Sequence, residues 1–195
     1  MKFWVTFNEA WTFTWLGGAA GKAPGLPQFS ESPKWPLVAG HNVLLAHAAA
    51  VDIFRSKYAK PSGGQIGITN NIDWKEPKTT APADVAASQR ALEFQLGWFA
   101  DPIFGPDGDY PASMRSILGP LLPTFSDAEK AALKGSADFF GLNSYGTGWA
   151  SDSAEAGFCA CYCDVDEGEG CDCGYGYGCG CLYVCVCVCV CVCVD

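Results

Sequence analysis

The chain has 195 residues, room for one ordinary domain, and carries 12 Lys and Arg against 21 Asp and Glu, a formal charge of −9. That acidity is local. Residues 1–150 hold 12 basic and 13 acidic side chains, whereas residues 151–195 hold no base and eight acids, from Asp152 to Asp195. The nearly neutral first part has no basic surplus for nucleic acid, so no partner of that class is expected. No apolar run of about 18 residues precedes the tail, so no membrane span is expected there either.

In chain order, Lys2 to Asn8 reads as a strand. Phe3, Trp4, Val5 and Phe7 form the near-continuous apolar run of a strand covered on both faces. Met1 to Trp4 leads directly into the strand and the motif that follows it, and is not expected to be a signal peptide. The natural start is expected upstream, and the compartment is not legible. Ala10 to Pro36, with Gly17-Gly18 and Ala23-Pro24-Gly25, reads as a long loop. Long loops inside compact domains are often functional.

Leu44, Ala48, Val51 and Tyr58 repeat near the helical period and predict a helix over about Val38 to Ala59, ended by Pro61-Ser62-Gly63-Gly64. Gln65 to Asn70 predicts a second strand. Pro82 suits the first turn of a helix over about Ala83 to Ala100, which should close at Asp101-Pro102. Ser126 and Glu129 have capping-box spacing for a helix to about Lys134. Asp138 to Asn143 predicts a third strand. Strands alternating with helices predict an α/β fold with parallel pairing.

The sequence Thr6-Phe7-Asn8-Glu9-Ala10-Trp11 places a carboxylate and an amide where the first strand ends. In a β/α barrel, catalytic groups sit at that end of the strands. Taken with Gly25, His41-Asn42, Ile68-Thr69-Asn70, Gly108-Asp109-Tyr110-Pro111 and Gly141-Leu142-Asn143, the order of segments resembles glycoside hydrolase family 1, the β-glucosidase type. The resemblance implies a partial (β/α)8 TIM barrel, about strands 4 to 6 with their helices, over residues 1–150. A complete barrel needs about 250 residues.

The resemblance also implies retaining hydrolysis of a β-glucoside or oligosaccharide by two carboxylates, without cofactor or metal. It makes Glu9 the acid/base, a role that calls for a carboxyl able to hold its proton near neutral pH. It makes Asn8 the partner of the sugar 2-hydroxyl, and Asn143 and Tyr145 residues of the sugar site.

Two departures from the family pattern stand out. The family proline after the acid/base is Ala10, which should loosen Glu9. The Ile/Val-Thr-Glu-Asn-Gly motif of the nucleophile is absent, as are the glycone-binding Gln and His-Trp of the first three strands. Because the two carboxylates act as a unit, this chain alone is expected to be inactive. The alternative is a truncated, non-catalytic protein that binds sugar or a partner without turnover.

The residual candidates have simpler readings. His41 and His47, six apart, lack one-face metal spacing and are expected to pack. Trp98 is expected in the core, and Trp149 is a candidate aglycone contact. Asp73, Asp107 and Asp109 fall among loop signals and are expected to be solvated.

Residues 151–195 form a low-complexity Cys/Val/Gly tail. All 12 cysteines lie between Cys159 and Cys193, so the preceding residues carry no redox information. Val184 to Val194 alternates Val and Cys, which would place every thiol on one face of a strand. Soft metals favour such thiolates. A GT dinucleotide repeat, however, translates to the same alternation, so the tail is expected to be disordered or artefactual rather than a metal cluster.

Overall fold

A computed structural model describes residues 1–18 and 34–152. Gly25 and the cysteine-rich tail beyond Asp152 lie outside the described residues. The described elements are β1 (Phe3–Asn8), α1 (Trp35–Lys57), α2 (Ala59–Ser62), β2 (Gln65–Pro77), α3 (Pro82–Leu92), α4 (Trp98–Phe104), α5 (Ala112–Leu118), α6 (Asp127–Leu133) and β3 (Phe139–Ala150). The strands form one sheet in the order β1-β2-β3, with β1 and β2 parallel, as the alternating pattern predicts. The chain divides into two compact units, Met1–Ile72 with Glu93–Ser144, and Asp73–Leu92 with Tyr145–Asp195.

In the first unit the sheet has two unlike faces. On one, Trp4 packs against Phe54 of α1 at a ring distance of 6.0 Å, and Ile66 joins Val51 and Phe54 in a buried cluster. Phe140 meets Phe104 of α4 edge to face at 5.1 Å. Behind this face, α1 contacts β1, α4 and α6. Gly40 of α1 is required by that packing, because a β-carbon there would stand 2.7 Å from the Trp98 ring. By length and composition α1 is apolar enough to cross a membrane. In this fold it buries Leu44, His47, Ala48, Val51 and Phe54 as a core helix.

The other face carries Phe3, whose ring meets Phe139 at 6.0 Å. A β-carbon on Gly67 would stand 2.5 Å from the Phe139 carbonyl oxygen, so β2 and β3 approach closely there. On both of its faces, β1 differs from the sequence expectation. Phe3, Trp4 and Val5 are 65%, 42% and 49% exposed rather than buried. The reason is position: β1 is the outer strand of the described sheet and pairs with β2 alone.

Other boundaries shift for local reasons. The expected loop after Glu9 begins as helix, with a π-helical stretch over Thr12–Leu16 in which the Gly17 N–H donates to the Thr12 carbonyl. The Thr14 hydroxyl donates to the Ala10 carbonyl at 2.6 Å and is buried. α1 starts earlier than expected because Pro36 fits its first turn. Gly63 closes α2 at φ 57°, the left-handed conformation that favours glycine.

Pro102 does not end its helix but lies buried inside α4, which itself follows a π-helical stretch over Glu93–Gly97 that alters the hydrogen-bond ladder. The capping box forms at α6, the Glu129 N–H donating to Ser126 Oγ and the Ser126 N–H to Glu129 Oε2. α5, which follows Pro111, has no clear periodic signal in the sequence.

In the second unit, the Lys78 N–H donates to the Ala150 carbonyl at 2.7 Å and the Ser88 hydroxyl to the Lys75 carbonyl at 2.5 Å. Arg90 pairs with Asp152 at 2.8 Å. β2 and β3 thus run past their expected ends at Asn70 and Asn143, because this unit supplies backbone and side-chain partners for the extra residues.

Candidate active site

β1 and β2 are in register at Phe3 with Gln65, Trp4 with Ile66 and Val5 with Gly67, and then at Asn8 with Thr69. Three residues of β1 therefore match two of β2. Such a bulge re-aims the side chains that follow it, a device common beside active sites. The Glu9 N–H still reaches the Thr69 carbonyl, at 2.9 Å.

Glu9 is the one non-glycine residue with positive φ, at 56°, among the described residues. That conformation costs an L-residue about 1–2 kcal/mol and persists where its surroundings enforce it. Here the enforcement is visible. The Glu9 carbonyl accepts from the Thr12 N–H at 2.9 Å and the Phe13 N–H at 3.4 Å, opening the helical segment. Ala10, wholly buried, stands where a proline was expected. Glu9 is nonetheless tied on both sides of its backbone, and the buried turn takes over the restraint that the ring would supply.

Both carboxylate oxygens are engaged. Asn143 Nδ2 donates to Glu9 Oε1 at 2.7 Å and, at 3.2 Å, to Asn8 Oδ1. The Thr12 hydroxyl donates to Glu9 Oε2 at 3.1 Å. The structure therefore brings together Asn8, Glu9 and Asn143, far apart in the chain. Tyr145, two residues beyond Asn143 on β3, belongs to the second unit and is 72% exposed. Thr12 was missed from sequence; its signal was a hydroxyl three residues after Glu9, hidden within what read as a loop.

A carboxyl on a rigid strand end, held by neutral donors and half-buried, can exchange a proton with a ligand at fixed geometry.

The remaining candidates have structural roles. His47 is buried, with Nδ1 2.7 Å from the Thr6 hydroxyl, which in turn donates to the Gly67 carbonyl. Burial lowers its pKa to about 4, against the hydrogen bond with the Ser136 backbone and with help from Arg55. His41 Nδ1 lies 2.9 Å from the Tyr110 hydroxyl, and its ring stacks on Phe125 at 4.4 Å.

Asp109 is a correction. It is no solvated loop carboxylate but pairs with Arg115 and Lys130, each at 2.8 Å. Partial burial raises its pKa, yet hydrogen bonds from Lys130, Arg115 and the Tyr110 N–H outweigh that and hold the carboxyl below its usual range. Trp98 is core at 2% exposure, and Trp149 is 44% exposed. Among the described residues no group of three or more His, Cys, Asp or Glu could hold a metal.

The sequence profile for Glycosyl hydrolase family 1 matches residues 1–168. The chain belongs to this family. Beta-glucosidase 40 of Arabidopsis thaliana is 43% identical over 163 residues, covering 79% of this chain and 32% of that protein. The crystal structure of the rice Os3BGlu6 β-glucosidase superposes with a TM-score of 0.71 at 44% identity, over 76% of this chain and 32% of that one. A family 1 β-glucosidase from the fungus Humicola insolens, solved in complex with glucose, gives a TM-score of 0.69 at 45% identity, over 75% and 32%. The family 1 chain described here thus spans about a third of the length of these relatives and is a partial α/β piece of their barrel fold.

Proposed function

We propose that residues 1–150 are the part of a retaining β-glycosidase that carries barrel strands four to six, and that Glu9 is its acid/base. The substrates are β-linked glycosides, most directly β-glucosides, in keeping with the names of the relatives. Glu9 protonates the oxygen of the departing group and afterwards takes a proton from the attacking water. Asn8 meets the sugar 2-hydroxyl, Asn143 orients the Glu9 carboxyl, and Tyr145 belongs to the sugar site. The observation that carries this reading is the Glu9 carboxylate, set on a left-handed residue at the end of β1 and gripped by Asn143 from β3.

The nucleophilic carboxylate belongs to a Thr-Glu-Asn-Gly sequence that these 195 residues do not contain. By themselves they would bind a sugar without releasing product. We set the end of the barrel part near residue 150 because the composition changes there, leaving 151–195 as a separate low-complexity tail.

The test uses the full-length protein that carries this segment. With an unactivated alkyl or aryl β-glucoside, Glu9→Gln is expected to slow turnover by about 100- to 10,000-fold. With an activated leaving group, which departs without a proton, the loss of the first step should be much smaller. An unchanged rate on the unactivated substrate removes Glu9 from the mechanism. For the 195-residue chain, calorimetric binding of a glucose-like lactam without turnover is the expected result, and measurable hydrolysis would contradict it.

A further inference from the structure

We propose that Thr6 is a positioning residue for Glu9: its hydroxyl locks β1 onto β2 at the bulge and so sets where the Glu9 carboxyl stands. This rests on the reading of Glu9 as acid/base. It adds a residue on the helix-covered side of the sheet that acts through Glu9 rather than on the substrate.

The bulge creates the need. Val5 is level with Gly67 and Asn8 with Thr69, so Thr6 and Phe7 together stand opposite Ile68. The extra residue of a bulge has no place in the ladder. A slip of one residue there would turn the side chains that follow to the opposite face. It would also carry them about 3.3 Å along the strand. Something besides the ladder has to hold this register. Glu9 depends on it directly, because its φ of 56° persists only where the surroundings enforce it.

The Thr6 hydroxyl meets that need. It donates to the Gly67 carbonyl at 3.3 Å and lies 2.7 Å from His47 Nδ1. His47 is wholly buried, and burial lowers its pKa to about 4, so near pH 7 the ring is neutral and carries one N–H. With that hydrogen on Nδ1, the ring donates to Thr6 Oγ while Oγ gives its own hydrogen to Gly67. Both contacts then form at once. Nε2, enclosed with no partner among the described residues, is left as the bare nitrogen.

Both anchor points are themselves fixed. A β-carbon on Gly67 would stand 2.5 Å from the Phe139 carbonyl oxygen, so β2 is wedged against β3 at this level. α1, which carries His47, packs so closely on Trp98 that Gly40 has no room for a β-carbon. One oxygen atom therefore ties the strand that delivers Glu9 to a core helix and to the middle strand. A valine there would have nearly the same shape and no such direction.

The experiment measures kcat/KM of the full-length protein on aryl β-glucosides running from dinitrophenyl to unsubstituted phenyl, with Tm recorded. The first group departs without a proton and the last needs one, so a misplaced donor shows as a loss that grows along the series. Thr6→Val is expected to lose about tenfold or more on the phenyl glucoside and less than about twofold on the dinitrophenyl one. Thr6→Ser, which keeps the hydroxyl, should stay within about twofold on both. A loss equal across the series, no loss, or a Thr6→Ser as selective as Thr6→Val overturns the proposal, since a merely structural residue does not discriminate between leaving groups. The ratio of the two rates does not depend on how much of a sample is folded, so a lowered Tm leaves the test intact. If Thr6→Val does not fold, Thr6→Val combined with His47→Leu, which orphans no imidazole, carries the same expectation. Glu9→Gln on the same series reports separately on the parent reading. If its losses do not grow toward the phenyl glucoside, that reading fails whatever Thr6 does. If they grow while those of Thr6→Val do not, Thr6 alone is excluded.

Discussion

The two faces of the three-stranded sheet are built from neighbouring residues of the same strands and share almost nothing else. On the helix side, Trp4, Thr6, Ile66 and Phe140 each meet a partner from α1 or α4, either a ring, a buried cluster or the His47 imidazole. On the other side, Phe3 and Val5 remain about half or more exposed, while Asn8, Glu9, Asn71 and Asn143 supply polar groups. The helix side finds its packing partners in α1 and α4, and it fixes strand positions closely enough for a strained Glu9 to persist. The site side holds chemistry that needs further cover, which fits a chain spanning about a third of its relatives.

The largest expected effect tests how dry the helix side is. The His47 pKa, lowered to about 4 from 6.5 by burial, lies below its unfolded value, so the folded protein resists the proton that the unfolded chain accepts. Stability is then full above about pH 6.5 and falls as pH drops toward 4, by about 3 kcal/mol in all. Urea titrations of the full-length protein across that window should show the slope, and His47→Gln should remove most of it. A small slope is expected to remain, because burial lowers the His41 pKa as well. An identical slope in the variant would mean that His47 is not enclosed.

A middle-sized effect belongs to the site side. Asn143→Ala removes a donor to the Glu9 carboxylate. Hydrogen bonds to charged groups are worth about 1.5–3 kcal/mol. Hydrolysis should fall by about one to two orders of magnitude with the Tm little changed. A large drop in Tm with activity intact would reverse the division of labour between the faces.

The smallest effect sharpens the contrast. Asn70→Leu replaces an amide that has no hydrogen-bond partner among the described residues, on the face that alternation gives to Ile66 and Ile68, by an apolar group of similar volume. It should raise stability by about 1 kcal/mol and leave the rate alone. Destabilisation would reveal a polar partner that Asn70 needs.

Much of this organisation is legible in the sequence because single residue types force it. Pro82 opens α3, Ser126 and Glu129 cap α6, and the apolar run before Asn8-Glu9 makes a strand that delivers a carboxylate to its end. The order of motifs was enough to indicate the family. Three features resisted for physical reasons. The exposure of β1 follows from its place at the outer edge of the described sheet, which no local pattern reports. The helical path after Glu9 depends on backbone bonds between Glu9, Thr12 and Phe13 that composition rich in Gly and Trp conceals. The extensions of β2 and β3 depend on partners in the second unit, so the strands were expected to end at Asn70 and Asn143 although they run on to Pro77 and Ala150. At the site, Asn8, Glu9 and Asn143 were legible through the family pattern. Thr12 was not, because its importance lies in the helical turn that brings its hydroxyl to the Glu9 carboxylate.

The most direct test of Glu9 as acid/base is turnover of an activated aryl β-glucoside by Glu9→Ala in the full-length protein, with and without azide. Once the carboxylate is gone, nothing draws the proton from the incoming water, and a small anion that needs no such help should take its place. The account predicts that azide accelerates the variant severalfold or more, leaves the unmodified protein unchanged, and yields the β-glycosyl azide. A variant that azide does not accelerate, or one that gives the α-product, would contradict it.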